Sequence, residues 1–196
     1  KNAEGLVLWN NKVIVSTWDT GTNKVYAIDP ATDLVDETFT VSGYAPQEAL
    51  IDKEGMLWVL SGNVTRGKQS KWTRLDPSGT VIKTYSFPVN ADATKPVINK
   101  TKDTIYFLEV NYNGGSANNG IFRMDIHAAD LPREPFVQAN GLQYFWALGI
   151  DPQTGYVYVG DPKGFNQKGN VLVYKQDGIL HRQFKTGVGP GHFYFD

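Results

Sequence analysis

A four-strand phrase returns four times along this chain, and that repeat predicts an all-β fold: a β-propeller built of four-stranded antiparallel blades. Three observations carry the prediction. The third strands of successive phrases are Lys24–Asp29, Lys71–Asp76, Gly120–Asp125 and Asn170–Lys175, and their ends lie 47, 49 and 50 residues apart. The segments between Gly, Pro, Asn and Asp clusters are short and rich in β-branched and aromatic residues, as in antiparallel meanders. No segment carries a helical period, although His127–Asp130 has room for a single turn. A four-stranded sheet cannot bury both faces alone, whereas radially arranged sheets cover one another, and that requires the repeat.

The strands of each blade are named A to D from the inside outward. The A strands are read at residues 3–8, 47–52, 95–99, 145–150 and 191–195, and the B strands at 13–18, 57–60, 104–110 and 156–160. The third strands given above are the C strands, and the D strands fall at 35–41, 81–87, 134–138 and 180–185. The chain is read as one domain over 1–196, with repeat units at about 3–41, 47–87, 95–138 and 145–185 and a final inner strand at 191–195. Five A strands stand against four each of B, C and D. Propellers close their ring by completing one blade from both chain ends, so the surplus strand implies a C-terminal portion of a larger, seven-bladed ring. A self-contained four-bladed ring is the alternative.

Composition is that of a globular chain with a large core: 41% hydrophobic, 13% aromatic, 20% charged and a net charge of −1. No basic run supports nucleic-acid binding, and no apolar stretch approaches the length of a membrane span. With no cysteine, disulfides, thiol catalysis and Cys-based metal sites are all excluded.

Loop lengths divide unequally between the two ends of the strands. The A–B turns are tight, as at Trp9–Asn11, and so are most C–D turns, as at Asp76–Gly79. The B–C loops at 19–23, 61–70, 111–119 and 161–168 are long and rich in Gly and Asn, and the D–A loops end on the same face. Function on a rigid scaffold usually sits in such loops. The expected ligand contacts are therefore Trp18, Tyr112, Phe145, Trp146 and Phe165 for stacking, with Asn63, Lys95, Asn111 and His192 for hydrogen bonds. Tyr44 and Tyr144 are placed near the same centre.

Catalytic and metal motifs are scarce. His127, His181 and His192 show no paired spacing for zinc, no Gly-x-Ser-x-Gly elbow occurs, and Asn111–Gly120 lacks the Lys and Ser/Thr of a phosphate loop. Residues 161–169 do not match a calcium loop. No metal, cofactor or catalytic residue is assigned. Glu4 and Glu48 occupy equivalent repeat positions, where a carboxylate pair serves either acid–base chemistry or the structure. Two formal glycosylation sequons, Asn63–Thr65 and Asn99–Thr101, are read as chance matches.

The phrases Glu4-Gly-Leu, Lys12–Val15, Val25–Thr32 and Gly155–Val159 resemble the recurring motif of the YVTN-type (YncE-like) seven-bladed propellers. The closing stretch Gly187–Phe195 looks like the C-terminal strand of surface lipoproteins of this type from Gram-negative bacteria. The chain departs from the pattern at Ala3, where Pro is usual, and at Lys95-Pro-Val97. Seven blades would need roughly 330 residues, so this resemblance too implies a larger ring. It further implies a non-catalytic binding protein of the cell surface or periplasm, lipid-anchored in full length. Some relatives capture vitamin B12 and pass it to an outer-membrane transporter, which makes a corrinoid the first ligand guess. A protein-interaction scaffold and a lactonase- or lyase-type enzyme are the competing readings.

Overall fold

The computed structural model describes residues 3–111, 119–141 and 143–196. Sixteen strands form four sheets of four, each in simple meander order. The first sheet holds β1 (Ala3–Trp9), β2 (Lys12–Thr17), β3 (Lys24–Asp29) and β4 (Leu34–Thr40). The second holds β5 (Pro46–Ile51), β6 (Leu57–Asn63), β7 (Lys68–Leu75) and β8 (Val81–Ser86). The third holds β9 (Ala91–Ile98), β10 (Thr104–Asn111), β11 (Gly120–Asp125) and β12 (Val137–Gln138). The fourth holds β13 (Ala147–Ile150), β14 (Val157–Asp161), β15 (Asn170–Tyr174) and β16 (Leu180–Lys185).

Turn chemistry explains the repeat. At the end of the third strand of the first three sheets an Asp carboxylate collects the amides of the following turn. Asp29 Oδ1 accepts the Ala31 N–H at 2.8 Å, Asp76 Oδ1 those of Ser78 and Thr80 at 2.9 and 3.0 Å, and Asp125 Oδ1 that of His127 at 2.7 Å. Such bonds fix a turn locally, which is why Asp recurs at that position. The fourth repeat has Lys175 there, and Asp177 takes over by accepting the Ile179 N–H at 2.9 Å. The first A–B hairpin closes through Asn10 and Asn11 at φ +50° and +62°, the left-handed pair that a two-residue turn demands.

The chain divides into two compact units, Lys1–Thr94 with Ala129–Leu131, and Lys95–Ala128 with Pro132–Asp196. In the first unit Ile14, Val25, Ala27 and Val41 of one repeat pack against Ala49, Leu57, Val59 and Leu75 of the next. In the second unit Tyr106, Leu108 and Ile121 pack against Leu148, Val157, Val159 and Leu172. Both cores are the buried faces of neighbouring sheets, each face set by the two-residue alternation of its strands.

Some boundaries differ from expectation. The loop expected at 61–70 is shorter, because β6 runs on to Asn63 and β7 begins at Lys68, leaving one 3₁₀ turn, Val64–Arg66, closed by Gly67 at φ +72°. The third inner strand begins at Ala91 rather than Lys95, and the third outer strand is reduced to two residues. Residues 191–195 form no strand ladder, since no second strand among the described residues pairs with them. They still cover the fourth sheet: Phe193 and Phe195 lie 5.9 and 5.2 Å from the Tyr158 ring. Among the described residues no helix is long and apolar enough to cross a membrane.

Candidate functional site

In the second unit two loops meet, one contributing Ala139–Gly141 and Gln143–Trp146, the other running from Asp161 to Asn170. The first enters the fourth sheet through the Trp146 N–H, which donates to the Gly160 carbonyl at 2.8 Å. Alternation along that extended entry decides which aromatic faces outward. Phe145 is 4% exposed and joins the apolar core, whereas Trp146 is 38% exposed. The expectation that both meet a ligand is corrected for Phe145, because neighbouring residues of an extended chain point to opposite sides.

Trp146 is the centre of an aromatic cluster. Its ring lies 5.2 Å from Phe165, nearly perpendicular at 88°, and 6.2 Å from Tyr144 at 27°. Lys95 Nζ sits 5.8 Å from its centroid, within cation–π range. The turn that presents Phe165 is held in an unusual shape. Lys163, Gly164 and Phe165 take φ of +48°, +76° and +64° in succession. For L residues the left-handed region costs about 1–2 kcal/mol each, so tertiary contacts impose this turn.

Through Lys163 and Gly164 the same turn also lines an open cleft of about 570 Å³, together with Asn140, Gln143, Asp161, Asn166, Gln167 and Asn170. Asp161, at the end of β14, is 4% exposed and accepts the Lys163 N–H at 3.1 Å. Asn170, paired with it across the ladder, is 6% exposed. In the amide orientation that satisfies its neighbours, Asn170 Oδ1 accepts from Lys163 Nζ at 3.0 Å and from Gln183 Nε2 at 2.8 Å. Burial, then the negative charge of Asp161, push the Tyr174 phenol above its ordinary range.

The first unit carries a smaller cleft of about 330 Å³ at the same kind of loop, lined by Trp18, Asp19, Thr20, Asn63 and Arg66. Trp18 is 42% exposed and its indole N–H donates to the Gly62 carbonyl at 2.8 Å. Asn63 Oδ1 accepts the Thr65 hydroxyl at 2.9 Å. Tyr44 lies under Lys68 Nζ, 4.7 Å from the centroid.

The expected contacts therefore fall into separate groups. Lys95, Trp146 and Phe165 come together in one unit, and Trp18 and Asn63 in the other. Phe145 is core. His192 is exposed in the segment after the last strand, and the Asn111 N–H donates to Asn119 Oδ1 at 2.7 Å. Tyr112 lies outside the described residues.

Sequence reading passed over the buried acids. Ladder register makes Thr17, Ser61, Glu109 and Asp161 equivalent, each four residues beyond the partner of the last apolar residue of the third strand. All four are buried. Burial raises the Glu109 carboxyl to about 7. Asp92 is also raised by burial, opposed by the Ser70 hydroxyl and the Val64 amide. The signal was present as an acid inside an apolar run, legible once the four second strands are aligned. Glu4, by contrast, is exposed. Among the described residues no group of three His, Asp or Glu side chains is arranged to hold a metal ion.

No protein-family model and no curated protein sequence matches the chain. Solved structures do match. Hydrazine synthase from Kuenenia stuttgartiensis aligns over 97% of this chain and 64% of its own, at 16% identity and a TM-score of 0.77. A quinoprotein alcohol dehydrogenase-like protein from Bacteroides thetaiotaomicron aligns over 93% of this chain and 45% of its own, at 17% identity and 0.68. A gluconolactonase from Xanthomonas campestris aligns over 98% and 65%, at 12% identity and 0.68. The fold is a β-propeller. The chain spans less than two thirds of the length of each of these propeller chains, in keeping with four blades of a larger ring.

Proposed function

We propose that this propeller binds a polar small molecule on the loop face of its second unit, without transforming it. The exposed Trp146, packed by Tyr144, Phe165 and Lys95 next to a turn that also lines an amide-rich cleft, carries the reading. An aromatic surface beside convergent polar groups is the usual make-up of a small-molecule site, and a cleft of about 570 Å³ is of suitable size. The resemblance of the repeat phrases to YncE-like propellers makes a corrinoid the first ligand to try. Placement at the cell surface or in the periplasm, and hand-over to an outer-membrane transporter, belong to the same proposal. Calorimetric titration with cyanocobalamin tests it: Trp146→Ala should weaken binding by about 1–3 kcal/mol, the usual contribution of an aromatic anchor. Unchanged affinity dismisses Trp146, and no binding by the intact protein dismisses the corrinoid.

A second reading rests on Glu109. Its carboxyl, held near 7 by burial, lies in the range useful to a general acid or base, and the gluconolactonase shows that this fold carries lactone chemistry. Hydrolysis of gluconolactone, lost in Glu109→Gln, would move this reading ahead of the first.

A further inference from the structure

The side chains around the cleft narrow the ligand class. No apolar side chain lines it, so a hydrocarbon ligand would displace water from the Asn140 and Asn166 amides without replacing its hydrogen bonds. A ligand carrying a net negative charge would meet the Asp161 carboxylate, which is 4% exposed and whose second oxygen has no partner among the described residues. A cationic ligand would meet Lys163 Nζ in the cleft and Lys95 Nζ already over the Trp146 ring. What remains is a neutral molecule bearing many groups that both donate and accept, with an apolar face for the aromatic edge.

Resting on the binding reading above, we infer that this site takes a saccharide. A carboxylate oxygen free to accept, amides that each donate and accept, and an ammonium donor together match the alternating hydroxyls of a pyranose. Trp146 and Phe165 do not line the cleft, but Phe165 lies between Gly164 and Asn166, which do, so the C–H face of a further sugar of the same chain would meet this aromatic pair. Asp161 Oδ1 already accepts the Lys163 N–H, so its other oxygen is the one that would take a hydroxyl, in a charge-assisted bond. The left-handed turn at Lys163–Phe165 carries both the Lys163 side chain that lines the cleft and the Phe165 ring that meets Trp146.

A microarray of immobilised plant, animal and microbial glycans, followed by calorimetry on the strongest soluble hit, tests this on the complete protein. Cyanocobalamin is titrated in parallel. The expected result is retention of a restricted set of glycans, with affinity reduced about tenfold or more in Trp146→Ala and in Asp161→Asn. Because Asp161 is buried, Asn140→Ala and Asn166→Ala, at exposed lining positions, serve as variants that leave the fold alone, and each is expected to weaken the same hit. Retention of no glycan, or of glycans that all four variants bind as the wild type does, overturns the saccharide assignment. Cyanocobalamin binding that depends on Trp146, with no glycan retained, leaves the binding reading standing and removes the saccharide. Failure of both ligand classes removes both.

Discussion

At position 109 an acid stands in the apolar run from Ile105 to Val110, and the strand buries it to 6% exposure. Its carboxyl is raised to about 7 because burial penalises the charged form. An ordinary carboxylate titrates near 4.3 in the unfolded chain. Below that value both states are protonated and there is no penalty. As pH climbs from there to about 7, the unfolded chain releases its proton first and folding loses stability. Above 7 the loss is constant. Glu109→Gln should therefore melt like the wild type near pH 4 and be more stable by up to about 3 kcal/mol at pH 8. Melting curves across pH check this, and a variant equally displaced at both pH values would refute the assigned cause. Trp146 illustrates the opposite case, a residue whose exposure was legible from its place in a loop, while the burial of Phe145 beside it was not.

Among the elements, the turn Lys163–Phe165 is the least comfortable. Three successive left-handed residues, two of them not glycine, hold a cost that the strands on either side sustain. Phe165→Gly should relieve part of it and raise stability by roughly 0.5–1 kcal/mol, while removing the ring from Trp146 and weakening ligand binding. Denaturant titration with a parallel binding measurement separates the two effects. A loss of stability would mean that the contact of Phe165 with Trp146 outweighs the strain. The C–D turns lie at the other extreme. Their Asp carboxylates collect amides from residues two to four positions on, so the chemistry is entirely local. For this reason the recurring Asp at 29, 76 and 125 could be read as turn punctuation before any coordinates.

For the whole molecule, the repeat itself supplies the comparison. Ladder register makes Leu6 equivalent to Ala49 and Leu148, and Leu8 equivalent to Ile51 and Ile150. In the second and fourth sheets these positions are covered by the neighbouring sheet. In the first sheet Leu6 and Leu8 are 68% and 66% exposed. Two adjacent large apolar side chains on an open sheet face favour self-association. Replacing both with Lys should leave the stability of this chain within about 0.5 kcal/mol, as exposed substitutions do, and reduce its tendency to associate. Light scattering beside thermal melting reads both quantities, and a strongly lowered melting temperature would show that the leucines are packed rather than free.

Four meander sheets, their strand order and most of their turns were legible in the sequence. All of these follow from short-range rules: alternation with period two, β-branched and aromatic enrichment, and Asp or Asn folding back on its own backbone. The sequence also marked which loops gather aromatic and amide residues. Only the tertiary structure decided which of them meet. Lys95, Trp146 and Phe165 are far apart along the chain and converge, while Trp18 and Asn63 form a separate cleft. The equivalence of Thr17, Ser61, Glu109 and Asp161 became visible only through ladder register, and their burial depends on what the neighbouring sheet lays over each residue. A local pattern fixes the direction of a side chain. Its solvent, its partners and its proton affinity are fixed by residues about one repeat away.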